Sequence, residues 1–343
     1  MSLRSVFAFS LLMVLVGCSS TDQSGNRPPV GGGPPNGESD GDGGNPGVSD
    51  GGEALDAAPP VGPTVGADSG MPSTSDGGAL GLSKCGAPLD TSAPTAASIV
   101  RDGPLAVTSY STGLPASTLY KSLTVFYPSK GTGPYVVVML SPGLTEILQY
   151  LTPWAQRFAS YGYVAVFVEA NNTSQDSEAM RADGLWAAIA SIKGENTRAG
   201  SPLLGKLSSC IVTSGHSLGG GASISVANAH PTDVKGALGF NPYDGFQSFS
   251  SIVAPTLILT GQSDPTAPPA QHGRRQYDSM SASLTKEYVE IANGNHQSAI
   301  LPATIPGQYA VSWIKLTVDG DTRYRPFLDK AATGLSDFST TLP

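Results

Sequence analysis

The sequence has few basic residues, few cysteines and, over a long stretch, no aromatic residue. Of its 343 residues, 19 are Lys or Arg and 27 are Asp or Glu. Because phosphate binding needs clustered cations, this balance argues against nucleic acid as a partner. No Phe, Tyr or Trp lies between Phe9 and Tyr110, and residues 21–80 contain 16 Gly and 9 Pro. Such a stretch cannot build a hydrophobic core. A core is therefore expected only in residues 85–343, a length that suits one large domain better than the alternative of two small ones.

The chain begins with a short apolar segment. Arg4 precedes an apolar run over residues 6–16, which is too short to span a bilayer and is typical of an export signal. The run ends in LVGC, which resembles the bacterial lipobox, whose cysteine, here Cys18, is lipidated. Since Ser19 replaces the Asp that retains lipoproteins at the inner membrane, we expect an outer-membrane or cell-surface lipoprotein, with release from the cell as an option. The alternative is an ordinary secretion signal with an incidental cysteine.

The residues after the signal carry most of the negative charge. Of the formal net charge of -8, residues 1–84 hold -6 and residues 85–343 hold -2. We interpret residues 19–84 as a disordered, solvated tether. If lipid occupies Cys18, two thiols remain, Cys85 and Cys210, and an exported protein is expected to pair them. The alternative is a buried free thiol at Cys210.

Strand-like and helical patterns alternate from residue 119 onward. Apolar runs at residues 134–143, 163–170 and 210–215 are separated by amphipathic segments, and the alternation continues to residue 318. This order predicts an α/β fold with a mostly parallel central sheet and helices on both faces. No insertion suggests a lid domain, so residues 85–343 are expected to form one catalytic domain.

One motif in this domain carries chemistry. The segment GHSLG, centred on Ser217, fits the nucleophile-elbow pattern G-x-S-x-G, follows a strand-like run and opens a Gly/Ala-rich helix. A second match, centred on Ser49, lies in the tether with no strand before it and no helix after it. The strand-turn-helix context therefore favours Ser217 as a nucleophile, because the turn must project the hydroxyl above the sheet.

A serine hydroxyl needs a base, and three histidines lie downstream of Ser217. His230 ends the helix that the elbow begins and is expected to interact with that helix's C-terminus. His272 lies in the polar segment PAQHGRRQYD, which suggests a surface position. His296 follows the strand-like run KEYVEIA, from which a loop can reach the elbow, so His296 is the predicted base.

An acid must hold the base. Asp264 follows the strand-like run PTLILTG, at the strand end that the geometry requires, although it also precedes a proline and could simply form a turn. Asp278 lies in a predicted helix and Glu290 within a strand. The predicted order of nucleophile, acid and base is that of the α/β-hydrolase fold.

An oxyanion hole needs two backbone N–H groups. Leu218, directly after the nucleophile, is expected to supply one of them. The segment SPGL follows the run VVVML, and its Leu144 is our choice for the second. The alternative for Pro142-Gly143 is a simple turn.

These motifs together resemble the bacterial cutinases and poly(ethylene terephthalate) hydrolases. The similarity runs through PTAAS, SPGLT, GHSLGGGAS, NPYDG, SDPTAP, QYDSM, NGNH and VDGDTRY, and covers nearly all of residues 85–330. It implies an α/β-hydrolase fold without a cofactor, and a triad of Ser217, Asp264 and His296. It also implies that Leu144 and Leu218 wall the cleft and that Tyr243 takes the place of a tryptophan beside the substrate.

The sequence also departs from that family. The family generally has an aromatic residue at Leu144 and a methionine at Leu218, so the cleft is expected to be more aliphatic. The family's C-terminal disulfide is missing, since Asp329 stands near the expected cysteine. Asp319-Gly320-Asp321 could suggest calcium, but the full loop spacing is absent and we expect a solvated turn and no metal site.

We therefore expect a monomeric serine hydrolase of the cutinase or polyesterase type that cleaves carboxyl esters, with aliphatic polyesters as substrates and aromatic polyesters such as poly(ethylene terephthalate) as a further option. Contact with the membrane is expected through the lipid anchor alone. One alternative is a hydrolase of small esters, lipids or platelet-activating-factor-type substrates, or a thioesterase. The other is a surface-anchored binding module without activity.

Overall fold

The computed structural model describes Cys85 and residues 92–245 and 248–342. All of them fall in one compact unit, Pro72–Pro343. The predicted signal with Cys18, the predicted tether and the second elbow match at Ser49 lie outside the described residues.

One nine-stranded sheet organises the domain. Its order is β1-β2-β4-β3-β5-β6-β7-β8-β9. The six strands from β3 to β8 are parallel to one another, whereas β1, β2 and β9 are antiparallel to their neighbours. The strands are β1 (Val107–Tyr110), β2 (Ser122–Pro128), β3 (Tyr135–Ser141), β4 (Val164–Glu169), β5 (Leu207–His216), β6 (Val234–Phe240), β7 (Thr256–Gly261), β8 (Lys286–Ile291) and β9 (Leu335–Thr340). The predicted, mostly parallel sheet is confirmed, and its parallel strands all end at one edge.

Helices cover both faces of the sheet. They are α1 (Leu148–Ser160), α2 (Glu178–Glu195), α3 (Leu218–Ala229), α4 (Gly273–Ser279), α5 (Thr304–Thr317) and a 3₁₀ helix, Thr322–Phe327. Side chains of α1 and α5 pack in one hydrophobic cluster, and those of α2, α3 and α4 pack in another. The fold is that of the α/β-hydrolases.

The central strand β3 shows why its sequence is almost wholly apolar. Every residue of β3 is buried. Val136, Val138 and Leu140 belong to the cluster under α1 and α5, whereas Val137 and Met139 belong to the cluster on the other face. Since side chains alternate along a strand and both faces are covered, neither face tolerates polar residues.

A disulfide joins Cys85 to Cys210 of β5, across a sequence separation of 125 residues. The backbone N–H of Cys85 also donates to the carbonyl of Val318, directly after α5. The start of the domain is thus attached to the sheet and to the last long helix. Among the described residues, no helix has the length and apolarity needed to cross a membrane.

Three elements were not predicted from the sequence: β1, β9 and the 3₁₀ helix. Both strands lie at an edge of the sheet and consist mostly of half-buried or exposed residues. An edge strand with one neighbour and little burial has no strong apolar pattern, so its sequence resembles a loop.

Candidate active site

The elbow at Ser217 is a sharp turn from β5 into α3. Ser217 has φ 55° and ψ -123°, a conformation that costs a non-glycine residue energy and is held by its surroundings. Its N–H donates to the carbonyl of Phe240 at 2.9 Å. A Cβ atom at Gly219 would overlap the carbonyl of Ser141, and one at Gly215 would lie 2.5 Å from the same oxygen. The pattern therefore needs glycine at both places, because β3, β5 and α3 meet there.

Ser217, His296 and Asp264 form one hydrogen-bonded chain. Ser217 Oγ lies 2.9 Å from His296 Nε2, and His296 Nδ1 lies 2.8 Å from Asp264 Oδ2. The three residues follow β5, β8 and β7, so the shared edge of the parallel strands brings together positions 79 and 32 residues apart. The arrangement allows the imidazole to accept the serine proton while the carboxylate fixes the ring.

The Asp264 carboxylate is fully buried but well supplied with donors. Its Oδ1 accepts from the backbone N–H groups of Thr266 and Ala267, both at 2.9 Å. Burial alone would raise the pKa of Asp264, but the hydrogen bonds from His296 and from these two amides outweigh it and hold the pKa below its ordinary value. Asp264 therefore stays ionised, as the partner of an imidazolium must.

Asn241 supports the same carboxylate and was not predicted. Its Nδ2 donates to Asp264 Oδ2 at 3.1 Å and to the carbonyl of Asn295 at 3.3 Å, while its Oδ1 accepts from the N–H of Ala299 at 3.1 Å. Asn241 directly follows β6 and has φ 43°. Its place after a parallel strand is the signal that could have drawn attention to it, as it did for Asp264.

The loop after β3 lies directly against the nucleophile. A Cβ at Gly143 would come within 2.8 Å of Ser217 Cβ. Leu144, the next residue, is 51% exposed, and Leu218, the first residue of α3, is half-buried beside Ser217. Two backbone segments that can supply amides to a developing oxyanion therefore flank the serine, with aliphatic side chains at its entrance.

Tyr243 lies at the surface beside this site, and a histidine packs against it. The Tyr243 N–H donates to the carbonyl of Ser217 at 2.9 Å, and the residue is 36% exposed. The ring of His272 stacks on it with centroids 4.3 Å apart. The predicted surface position of His272 was wrong: the residue is 4% exposed, stacks on Tyr243 and accepts a hydrogen bond from the N–H of Asp244.

The rival residues lie in other environments. His230 follows α3 and stacks face to face on Trp186 of α2, with ring centroids 3.4 Å apart. Asp278 pairs with Arg274 within α4, and Glu290 of β8 accepts from Tyr288. None of these contacts involves the Ser217 hydroxyl or the His296 ring.

The aspartates near the C-terminus are not the solvated turn that was expected. Asp319 and Asp321 are each 7% exposed; Asp319 pairs with Lys315 and Asp321 with Arg323. Neighbouring cations thus balance both carboxylates. Within the described ranges, no group of three or more His, Cys, Asp or Glu side chains is arranged to hold a metal ion.

Comparison with known proteins gives consistent matches. A family model described as PETase, PET hydrolase-like, matches residues 87–341. Cutinase 1 of Thermobifida cellulosilytica is 33% identical over 226 residues, which cover 66% of this chain and 84% of the cutinase. Bis(hydroxyethyl) terephthalate hydrolase of Streptomyces coelicolor is 32% identical over 226 residues, or 66% and 71% of the two chains. Cutinase 2 of Thermobifida cellulosilytica is 34% identical over 206 residues, or 60% and 76%.

Proposed function

Because the chain belongs to the PET hydrolase-like family of α/β-hydrolases and is a carboxylic ester hydrolase of the cutinase and polyesterase type, we propose that it works through a covalent acyl-enzyme on Ser217. The observation that carries this proposal is the hydrogen-bonded chain from Ser217 Oγ through His296 to Asp264. It joins a nucleophile, a base and an orienting acid at distances suited to proton transfer.

In the first half of the reaction, Ser217 Oγ attacks the ester carbonyl carbon while its proton passes to His296 Nε2. The tetrahedral intermediate then expels the alcohol, which takes that proton from His296. In the second half, His296 removes a proton from water, the hydroxide attacks the acyl carbon, and the acid leaves as Ser217 regains its proton. Asp264 stays ionised throughout and stabilises the imidazolium that forms in each half.

The negative oxygen of each intermediate needs donors. We assign this role to the backbone N–H groups of Leu144 and Leu218, which flank Ser217. The assignment is supported by the close approach of the Gly143 backbone to Ser217 Cβ and by the position of Leu218 at the N-terminus of α3. Backbone donors held this way need no reorganisation as charge develops on the oxygen.

We further propose that aliphatic polyesters are better substrates than aromatic ones. Leu144 and Leu218 present branched aliphatic surface at the cleft, and Tyr243 is its one aromatic wall in this assignment. Burial of apolar surface stabilises a bound aliphatic chain without any aromatic partner. An aromatic ring is stabilised by about a further 0.5–1.5 kcal/mol for each aromatic side chain that it stacks on, and this cleft offers few of them. Product release from films of an aliphatic and an aromatic polyester of equal area, set against hydrolysis of short soluble esters, tests this preference. Faster release from the aromatic film would contradict it.

The mechanism is tested by the variant Ser217→Ala, with turnover of p-nitrophenyl butyrate as the readout. Turnover is expected to fall by about 10⁴-fold or more, because the nucleophile of such a triad is lost. Ser225→Ala is a matched control: Ser225 lies two turns along α3 and its hydroxyl donates to Glu178. The control is expected to keep wild-type kcat. A Ser217→Ala enzyme with wild-type kcat would refute the proposal.

For the cellular location, we propose a lipid-anchored, exported, monomeric enzyme, with residues 1–18 as signal, Cys18 as the lipidated residue and residues 19–84 as tether to the domain at residues 85–343. The support is the sequence pattern around Cys18 and the Gly/Pro-rich composition that follows it. Expression in bacteria fed labelled palmitate tests the anchor. Incorporation is expected for the full chain and not for Cys18→Ala; equal labelling of both, or of neither, would contradict it.

A further inference from the structure

A second hydrogen-bonded chain runs beneath the active site and ends at the catalytic histidine's backbone. The N–H of Gly143 donates to Glu146 Oε2 at 2.6 Å. Glu146 Oε1 lies 2.5 Å from His216 Nδ1, and His216 Nε2 lies 2.7 Å from the carbonyl oxygen of His296. This chain links the loop after β3 to the loop after β8 through the residue that precedes the nucleophile.

The partners determine where the protons lie. The carbonyl of His296 only accepts, so His216 Nε2 must carry a proton. Glu146 Oε2 already accepts from Gly143, and a proton must also lie between Oε1 and Nδ1, because two lone pairs at 2.5 Å would repel. Glu146 and His216 therefore share one proton and carry no net charge together, which suits a pair whose side chains are 8% and 0% exposed.

A guanidinium holds the same loop from its other side. Arg181 of α2 donates through Nη1 to the carbonyl of Pro142 at 3.1 Å and through Nη2 to the carbonyl of Thr173 at 2.9 Å. Thr145, with φ 62°, donates its N–H to the same Thr173 carbonyl at 2.7 Å. Arg181 and Glu146 thus both hold the backbone around Gly143. Glu146 connects this backbone, through His216, to the loop after β8 that carries His296.

The Gly143 backbone lies close to both the nucleophile and the Glu146 carboxylate. A Cβ at Gly143 would lie 2.8 Å from Ser217 Cβ and 2.9 Å from the Glu146 carboxyl carbon, so only glycine fits at this position without a shift of its neighbours. The amide of the next residue, Leu144, takes its direction from this backbone. Glu146 is therefore placed to set the aim of an oxyanion donor without touching the ester.

We propose that Glu146 and His216 are positioning residues, which together we call the Glu146–His216 clamp. The clamp fixes the loop that carries the Leu144 amide relative to the His296 backbone. The distance and direction between the oxyanion donor and the base therefore stay constant. The proposal rests on the serine mechanism proposed above. Neither residue makes a hydrogen bond to Ser217 Oγ or to the imidazole of His296, but the His216 ring packs against that imidazole with ring centroids 4.9 Å apart, so the clamp acts through position rather than through proton transfer.

Three substitutions at Glu146 distinguish the effect of its side-chain length from the effect of its charge. Glu146→Gln keeps all three hydrogen bonds, because the amide oxygen accepts from Gly143 and the amide nitrogen donates to neutral His216. Glu146→Asp keeps the charge but retracts the carboxylate by about 1.5 Å, one C–C bond. Glu146→Ala removes the link. The expected order of kcat is wild type equal to Gln, then Asp, then Ala, with kcat of the Ala variant lower by about 100-fold, as a misplacement of about 1 Å in an active site produces.

The Michaelis constant and the melting temperature distinguish positioning from a purely structural role. For each variant that is folded by circular dichroism, KM for p-nitrophenyl butyrate is expected to change by no more than about threefold, because the clamp does not contact the ester. Glu195→Ala is the matched control for a lost buried carboxylate: Glu195 is 1% exposed, accepts hydrogen bonds from Tyr110, Arg198 and Ser201, and is the last residue of α2. It is expected to lower the melting temperature and leave kcat unchanged.

The outcomes are distinct. Wild-type kcat in a folded Glu146→Ala enzyme, or a Gln variant as slow as the Ala variant beside a fast Asp variant, would overturn the clamp. If the Ala variant does not fold, the order of the Gln and Asp variants decides the question. Failure of the serine mechanism is seen separately, as full activity of Ser217→Ala; an inactive Ser217→Ala beside a fully active Glu146→Ala refutes the clamp alone.

Discussion

Replacing Asp264 by asparagine removes one charge from the site and leaves its shape nearly unchanged. The surroundings decide which way the new amide points. At the Oδ1 position, two backbone N–H groups, those of Thr266 and Ala267, donate at 2.9 Å, so an amide nitrogen there would face two donors. At the Oδ2 position it would face one fixed donor, Asn241 Nδ2, which other hydrogen bonds hold in place. Avoiding one more unpaired buried donor favours the second orientation by about 1–3 kcal/mol.

The consequence is a change of tautomer at His296. With an amide nitrogen toward Nδ1, the ring must accept there and carry its proton on Nε2, facing Ser217 Oγ. A protonated Nε2 cannot take the serine proton, so kcat for p-nitrophenyl butyrate is expected to fall by about 10⁴-fold, as in the serine-protease triad with the same change. The tautomer itself is measurable from the ring ¹⁵N chemical shifts of His296 in labelled protein.

Asp278→Asn is the matched control, since Asp278 is half exposed and pairs with Arg274 away from the site. It is expected to keep kcat within about twofold, as surface ion pairs contribute little. Activity of Asp264→Asn within tenfold of wild type, or an Nδ1–H tautomer in that variant, would refute the reasoning.

Two further predictions concern stability. Burial raises the pKa of the Glu287 carboxyl well above its ordinary value, so this carboxyl is protonated in the folded protein. The unfolded chain releases that proton above about pH 4.3. The free energy of unfolding of the wild type therefore falls by about 1.4 kcal/mol per pH unit from there up to the pKa of Glu287 in the folded protein. Glu287→Gln is therefore expected to melt higher than wild type at pH 8 and at the same temperature at pH 4; an equal difference at both pH values would contradict this. The Cys85–Cys210 bridge closes a loop of 125 residues, so Cys210→Ser is expected to lower the unfolding free energy in urea by up to about 5 kcal/mol; no change between oxidised wild type and the variant would contradict a stabilising role.

Much of the fold followed from sequence because its main pattern is strong. Parallel strands buried on both faces need long apolar runs, and helices that cover them need amphipathic ones, so the alternation from residue 119 onward was readable. The edge strands β1 and β9 lack that burial and were not recognised. His272 was placed wrongly because its neighbours in the chain are polar, whereas the residues that it packs against, Tyr243 and Asp244, lie about thirty residues earlier in the sequence.

The residues of the site fall into two groups. Ser217, Asp264 and His296 each follow a parallel strand, and strand ends can be located in a sequence, so their meeting was expected. Glu146 and His216 could not be paired in this way. They are 70 residues apart, and the second link of the clamp spans 80 residues to a backbone atom that leaves no trace in the sequence. Contacts of this kind depend on how the loops after β3 and β8 approach the end of β5.

The most direct test of the account is to find where a fluorophosphonate reacts. Full-length protein is inactivated with the reagent, digested and mapped by mass spectrometry, with Ser217→Ala treated in parallel. One phosphonyl group on Ser217, formed in step with the loss of esterase activity and absent from the variant, is the expected result. Loss of activity without an adduct on Ser217, or an adduct there that leaves esterase activity intact, would contradict the account.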